Sequence, residues 1–123
     1  MRVLLVDDEA DLASALAERL DLRGFQADWA TTGDEALDKA AANVYEIAIL
    51  DLKMPKTGGV ELKAKLLALC PQMKFIFLTG YGSEKDFKTI SGEIGDANYL
   101  VKPVDIQVLI ERMHYVLKKT GEK

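Results

Sequence analysis

Three observations in this 123-residue sequence predict an α/β sandwich built on a parallel sheet. Short unbroken apolar runs recur along the chain. Stretches with apolar residues at helical spacing separate them. Each run stops abruptly at an acid, a hydroxyl or a lysine. Unbroken runs of this length suit strands buried on both faces. Alternating them with helices calls for right-handed crossovers.

Val3-Leu4-Leu5-Val6 is the first such run, ending at Asp7, Asp8 and Glu9. Leu12, Leu16 and Leu20 then form an i, i+4, i+8 stripe, and Gly24 closes that helix. Phe25 to Ala30 is a weaker strand, because Gln26 and Asp28 alternate with apolar neighbours; an edge position suits it, with Trp29 read as a packing residue. Ala36, Leu37 and Ala40 face inward on a second helix. Ile47-Ala48-Ile49-Leu50 is the next strand, ending at Asp51. Leu62, Leu66 and Leu69 form the inner side of a third helix, stopped by Pro71. Phe75-Ile76-Phe77-Leu78 ends at Thr79. Ser83 to Asp86 resembles a capping box with Asp in place of Glu or Gln, and Phe87, Ile90 and Ile94 give a fourth helix its apolar side. Tyr99-Leu100-Val101 ends at Lys102. Asp105 caps a fifth helix, with Ile106, Leu109, Ile110, Met113 and Leu117 inward and Lys118-Lys119 at its negative end. One domain over residues 1–119 follows, with 120–123 as a tail or the start of a linker.

Composition narrows the function. A net charge of −4 and a pI near 5.0 argue against a broad nucleic-acid-binding surface. A single cysteine excludes an internal disulfide and a cysteine-rich metal cage, and Cys70 itself reads as an unreactive thiol. No apolar run approaches the roughly 18 residues a membrane span needs. Only four apolar residues follow Met1-Arg2, too few for a signal-peptide core, so the expected location is cytoplasmic. His114, the one histidine, lies beside the inward stripe of the last helix and is not read as a phosphodonor.

Open parallel sheets build their sites outside the carboxyl ends of the strands. Asp7, Asp8, Asp51, Thr79 and Lys102 all fall there, each directly abutting its apolar run. Carboxylates about 4 Å apart repel by roughly 4 kcal/mol per pair at an effective dielectric of 20. Three of them call for a cation, and hard oxygens without imidazole or thiolate favour Mg²⁺ or Mn²⁺. Lys102 offers a point charge for phosphate oxygens, and Thr79 a hydroxyl donor. An aspartate can itself attack phosphorus. The set fits phosphoryl transfer to an aspartate.

Val3 to Glu9, Ile49 to Pro55 with Gly58-Gly59, Leu78-Thr79-Gly80 and Tyr99 to Pro103 together resemble the receiver domain of two-component response regulators, over about Arg2 to Leu117. The resemblance implies a doubly wound, flavodoxin-like sheet of five parallel strands in the order 2-1-3-4-5 with five helices. It makes Asp51 the phosphoacceptor, Asp7 and Asp8 the acids that hold Mg²⁺ (or Mn²⁺), and the Lys53 carbonyl a further metal ligand. Lys102 becomes the phosphoryl contact, Thr79 the switch hydroxyl, Tyr99 the switch aromatic, and Lys102–Pro103 a cis peptide. It implies a phosphorylation-activated signalling switch rather than an enzyme acting on a separate metabolite. The implied partners are a sensor histidine kinase and a downstream output domain or protein, the latter met through the fourth helix, last strand and fifth helix. A dimer formed on phosphorylation belongs to the same picture; direct nucleic-acid or membrane contact by this domain does not. Thr79 to Ser83 resembles receivers of the nitrogen-regulation class, and transcription regulation is one output this allows. Asp96 departs from the family's usual alanine.

Three other readings fit less well. A phosphatase of the haloacid-dehalogenase kind needs a second aspartate where Lys53 stands. A flavodoxin-like cofactor binder needs a phosphate cradle where Asp7-Asp8-Glu9 stands. An unphosphorylated interaction module does not account for the complete set. Lys53 and Tyr81 border the expected path of water to phosphorus, so slow self-dephosphorylation is expected. Thr89 to Gly92 are poor helix formers, so the fourth helix is expected to be the least protected.

Overall fold

The computed structural model describes residues 1–52, 58–80 and 99–121. Five strands, β1 (Arg2–Val6), β2 (Gln26–Ala30), β3 (Ile47–Asp51), β4 (Lys74–Thr79) and β5 (Tyr99–Val101), form one sheet in the order β2-β1-β3-β4-β5. Every pairing is parallel. Four helices are described: α1 (Ala10–Asp21), α2 (Gly33–Ala42), α3 (Gly59–Leu69) and a C-terminal helix (Ile106–Gly121). The expected fourth helix, with its capping box and its weak middle, lies outside the described residues.

The unbroken apolar runs are explained by the two faces they serve. Alternate residues separate into two cores. Leu4, Val6, Ala48, Leu50, Phe75, Phe77 and Tyr99 pack with Ala36 and Ala40 of α2 and Leu62 and Leu66 of α3. Val3, Leu5, Ile47, Ile49, Ile76, Leu78 and Leu100 pack with Leu16, Ala17 and Leu20 of α1 and Leu109, Met113 and Val116 of the C-terminal helix. A strand with a polar alternate could serve only one of these cores.

Helix ends follow local chemistry. Gly24 takes φ +95° after α1, a conformation other residues rarely adopt. Thr32 caps α2 by accepting from the Glu35 N–H at 3.0 Å, while Glu35 accepts from the Thr31 N–H at 2.8 Å. Asp105 caps the C-terminal helix, its Oδ1 accepting from the Gln107 N–H at 2.7 Å.

Two packing expectations are corrected. Trp29 is 37% exposed, because β2 is an edge strand and its outer neighbours are absent. Leu69 is 51% exposed: it is the last residue of α3, and Cys70 and Met73 pack against the core at that end instead. Leu37, Ile106 and Ile110 pack inward against the two cores while half-buried, Leu117 is also half-buried, and Val116 is a core residue the stripe omits.

At the amino ends of the strands, the buried Tyr45 hydroxyl donates to Asp28 Oδ2 at 2.6 Å, and Arg2 Nη2 meets the same oxygen at 3.3 Å. The Arg2 guanidinium also lies 5.5 Å from the Tyr45 ring centroid. Burial first, then the bond to Asp28 and its charge, push the Tyr45 hydroxyl up from 10.0 to about 12. Its folded value exceeds its unfolded one, so its contribution to stability is complete below pH 10 and is lost as pH rises toward 12. Tyr45→Phe should cost about 1.5–3 kcal/mol, the scale of a hydrogen bond to a charged group. Urea denaturation of both proteins should show that gap at neutral pH and its narrowing across the alkaline window.

Candidate functional site

The parallel register brings the strand ends together. Val6 pairs with Leu50, so Asp7 and Asp51 emerge side by side from β1 and β3. Thr79 pairs with Val101, which places Lys102 next to the end of β4. Asp7 and Asp51 are nearly buried, at 3% and 4% exposure, whereas Asp8 is exposed. A carboxylate oxygen from each of the three lies within 4.8 Å of the others.

Lys102 reaches into this group. Its Nζ is 2.7 Å from Asp7 Oδ2, 3.4 Å from Asp51 Oδ2 and 3.5 Å from Glu9 Oε1. Burial alone would lower the lysine's pKa; the contact with Asp7 and the charges of Asp51 and Asp7 outweigh it, so the pKa stands above its ordinary value. The ammonium stays charged, yet the three carboxylates around it, with Asp8 beside them, leave an excess of negative charge. That excess, set among hard oxygen donors, suits a divalent cation of the Mg²⁺ type.

The backbone holds the acids in place. The Asp7 N–H donates to the Ala30 carbonyl at 3.1 Å, and Asp7 Oδ1 accepts from the Glu9 N–H at 2.9 Å. After Asp51 the Leu52 N–H donates to the Leu78 carbonyl at 2.9 Å. The start of α3 then presses on the same segment, with the Gly59 N–H donating to the Leu52 carbonyl at 3.1 Å. A Cβ on Gly59 would stand 2.7 Å from the Asp51 carbonyl oxygen, so this approach requires glycine.

Of the residues singled out in the sequence, Asp7, Asp8, Asp51 and Lys102 converge on one site. Thr79 is the last residue of β4, at the same edge of the sheet. Tyr99 is buried on the α2–α3 side, and its carbonyl accepts from Arg112 Nη1 at 3.4 Å. The Lys102–Pro103 peptide is cis. Lys53 and Tyr81, with the loop carrying Asp96, lie outside the described residues. Glu9 joins the site through Lys102, a role that its adjacency to Asp7-Asp8 signals in the sequence.

Residues 3–114 match the response regulator receiver domain family. The chain belongs to that family. Its sequence is 35% identical over 119 residues to the transcriptional regulatory protein CpxR of Escherichia coli (strain K12), covering 97% of this chain and 50% of that protein. It is 31% identical over 122 residues to the response regulator ArlR of Staphylococcus aureus (strain Mu50 / ATCC 700699), covering 99% and 55%. The receiver thus spans about half the length of these curated relatives. Among solved structures, a CheY-like response regulator receiver domain protein from Methanospirillum hungatei JF-1 superposes with a TM-score of 0.85 at 31% identity, covering 98% of this chain and 96% of that one. A Burkholderia pseudomallei response regulator solved with a phosphorylated aspartic acid, calcium ion and citrate gives a TM-score of 0.81 at 30% identity, covering 98% and 70%. This is therefore a receiver of two-component signalling. No helix among its described residues is long and apolar enough to cross a membrane.

The approach of α3 to Asp51 is directly testable. Gly59→Ala should destabilise the receiver by about 1–3 kcal/mol through overpacking against backbone. Gly24→Asn, at an open turn position, should cost much less. Equal denaturation midpoints for wild type and Gly59→Ala would show that the segment after Asp51 yields freely.

Proposed function

We propose that Asp51 accepts a phosphoryl group from a sensor histidine kinase in a Mg²⁺-dependent reaction, and that the receiver then changes the face it offers to its output. One observation carries this reading: Asp51 lies against both a cluster of acids able to hold a divalent cation and a charged lysine. The phosphorylated aspartic acid and calcium ion of the Burkholderia pseudomallei neighbour support it.

An Asp51 oxygen bonds to phosphorus as the bond from phosphorus to the donor imidazole nitrogen breaks. The nitrogen keeps the electron pair and takes a proton from water. Asp7 and Asp8, with the Lys53 carbonyl, would hold the cation, which would supply neutralising charge for the phosphoryl oxygens. Lys102 leaves its carboxylate partners to meet a phosphoryl oxygen. Catalysis here is positioning and charge neutralisation, and the receiver works only on itself. Thr79 donates its hydroxyl to the new group, and Tyr99 reports the switch through its own change of position. Such contacts shift a two-state equilibrium only by their difference between the states.

Val101 of β5 and Val108 and Tyr115 of the C-terminal helix are exposed apolar residues, and they support a docking face for the output there. The relatives' names support transcription regulation as the output of a longer chain. In this reading residues 1–119 are its receiver and it works in the cytoplasm. A dimer formed on phosphorylation uses the same face.

Intact-mass measurement after incubation with acetyl phosphate and Mg²⁺ tests the chemistry. Wild type should gain one phosphoryl group, Asp51→Asn none, and excess chelator should prevent the gain. Labelling of Asp51→Asn as full as that of wild type would place the nucleophile elsewhere.

A further inference from the structure

Glu9 occupies an unexpected role for its position. It is the N-cap residue of α1, at φ −88° and ψ 97°, yet its side chain makes no capping hydrogen bond. Serine, threonine, aspartate and asparagine are the residues that serve a cap, because their short side chains reach the first free N–H groups. The Glu9 side chain turns the other way, to Lys102 Nζ at 3.5 Å, across 93 residues of sequence. Its carboxylate is 67% exposed, whereas the other two partners of Lys102, Asp7 and Asp51, are nearly buried. Lys102 therefore has two inner partners that are fixed and one outer partner that can move.

A divalent cation and Lys102 compete for the same oxygens. With a cation among Asp7, Asp8 and Asp51, the ammonium 2.7 Å from Asp7 Oδ2 faces two added positive charges. It must withdraw, and Glu9 is the carboxylate on its outward side. We propose that Glu9 is a positioning residue that takes Lys102 over when a divalent cation occupies the acidic cluster, keeping the ammonium at the mouth of the site instead of losing it to solvent. This rests on reading the cluster as a cation site. Glu9 contributes reach as well as charge, since an aspartate at this position would be one methylene shorter and drawn into capping α1.

The test is Mg²⁺ binding itself, titrated by amide NMR on the intact chain. Glu9→Gln should weaken Mg²⁺ binding by roughly two- to fivefold, the scale of an exposed ion pair. Glu9→Asp should weaken it as much, although it keeps the charge, while α1 gains a cap and the protein melts higher. In a Lys102→Met background the effect of Glu9→Gln should shrink at least twofold. Glu9→Asp binding Mg²⁺ like wild type, or equal effects of Glu9→Gln in both lysine backgrounds, would reduce Glu9 to plain local charge and overturn the proposal. Wild type that binds no Mg²⁺ while Asp51 still accepts phosphate would instead overturn the cation site on which it rests.

Discussion

Asp7 and Asp51 are two carboxylates that the register of a parallel sheet forces to share one nearly buried edge, with the Lys102 ammonium meeting both. Withdrawing charges from water costs several kcal/mol per ion unless partners compensate. Here the compensation is assembled from every neighbouring strand. The Ala30 carbonyl of β2 anchors the Asp7 backbone, the Glu9 N–H satisfies one Asp7 oxygen, and Lys102 arrives from the end of β5. Its surplus negative charge suits the cluster to a divalent cation.

The two apolar cores serve that edge. Because each central strand is buried on both faces, its backbone cannot tilt without disturbing packing on one side or the other. Strands of this kind hold their terminal side chains to a narrow geometry. The glycine at the start of α3 extends the same rigidity past Asp51, since helix and strand end meet there backbone to backbone.

Much of this was legible in the sequence, for a physical reason. Burial on both faces leaves an unbroken apolar run that no surface element imitates, and the first polar residue after it marks the strand end. Asp7, Asp51 and Lys102 could be placed that way, although strand order came from family resemblance. What escaped depended on how elements end and on which elements meet. Leu69 fits an inward stripe, but the stripe does not show that the helix ends there and that Cys70 and Met73 cover the core. Trp29 is more open to water than a packing residue, although the edge position of β2 that opens it was itself legible in the strand's alternating polarity. The bond from Tyr45 to Asp28 joins residues on different elements, and nothing in either segment announces it. The Thr32 cap escaped despite its local signal, Thr32-Gly33-Asp34-Glu35.

Trp29 has one more bearing. It is the only tryptophan in the chain, it is partly open to water, and the next residue is Ala30, whose carbonyl holds the Asp7 N–H. The indole therefore sits one peptide bond from the backbone anchor of the acidic cluster, on a strand supported by one neighbour alone. An indole at such a boundary changes its emission when its contact with water changes. The receiver thus carries a native fluorophore on the strand that anchors the Asp7 backbone, and its emission tests whether a change at the site reaches β2.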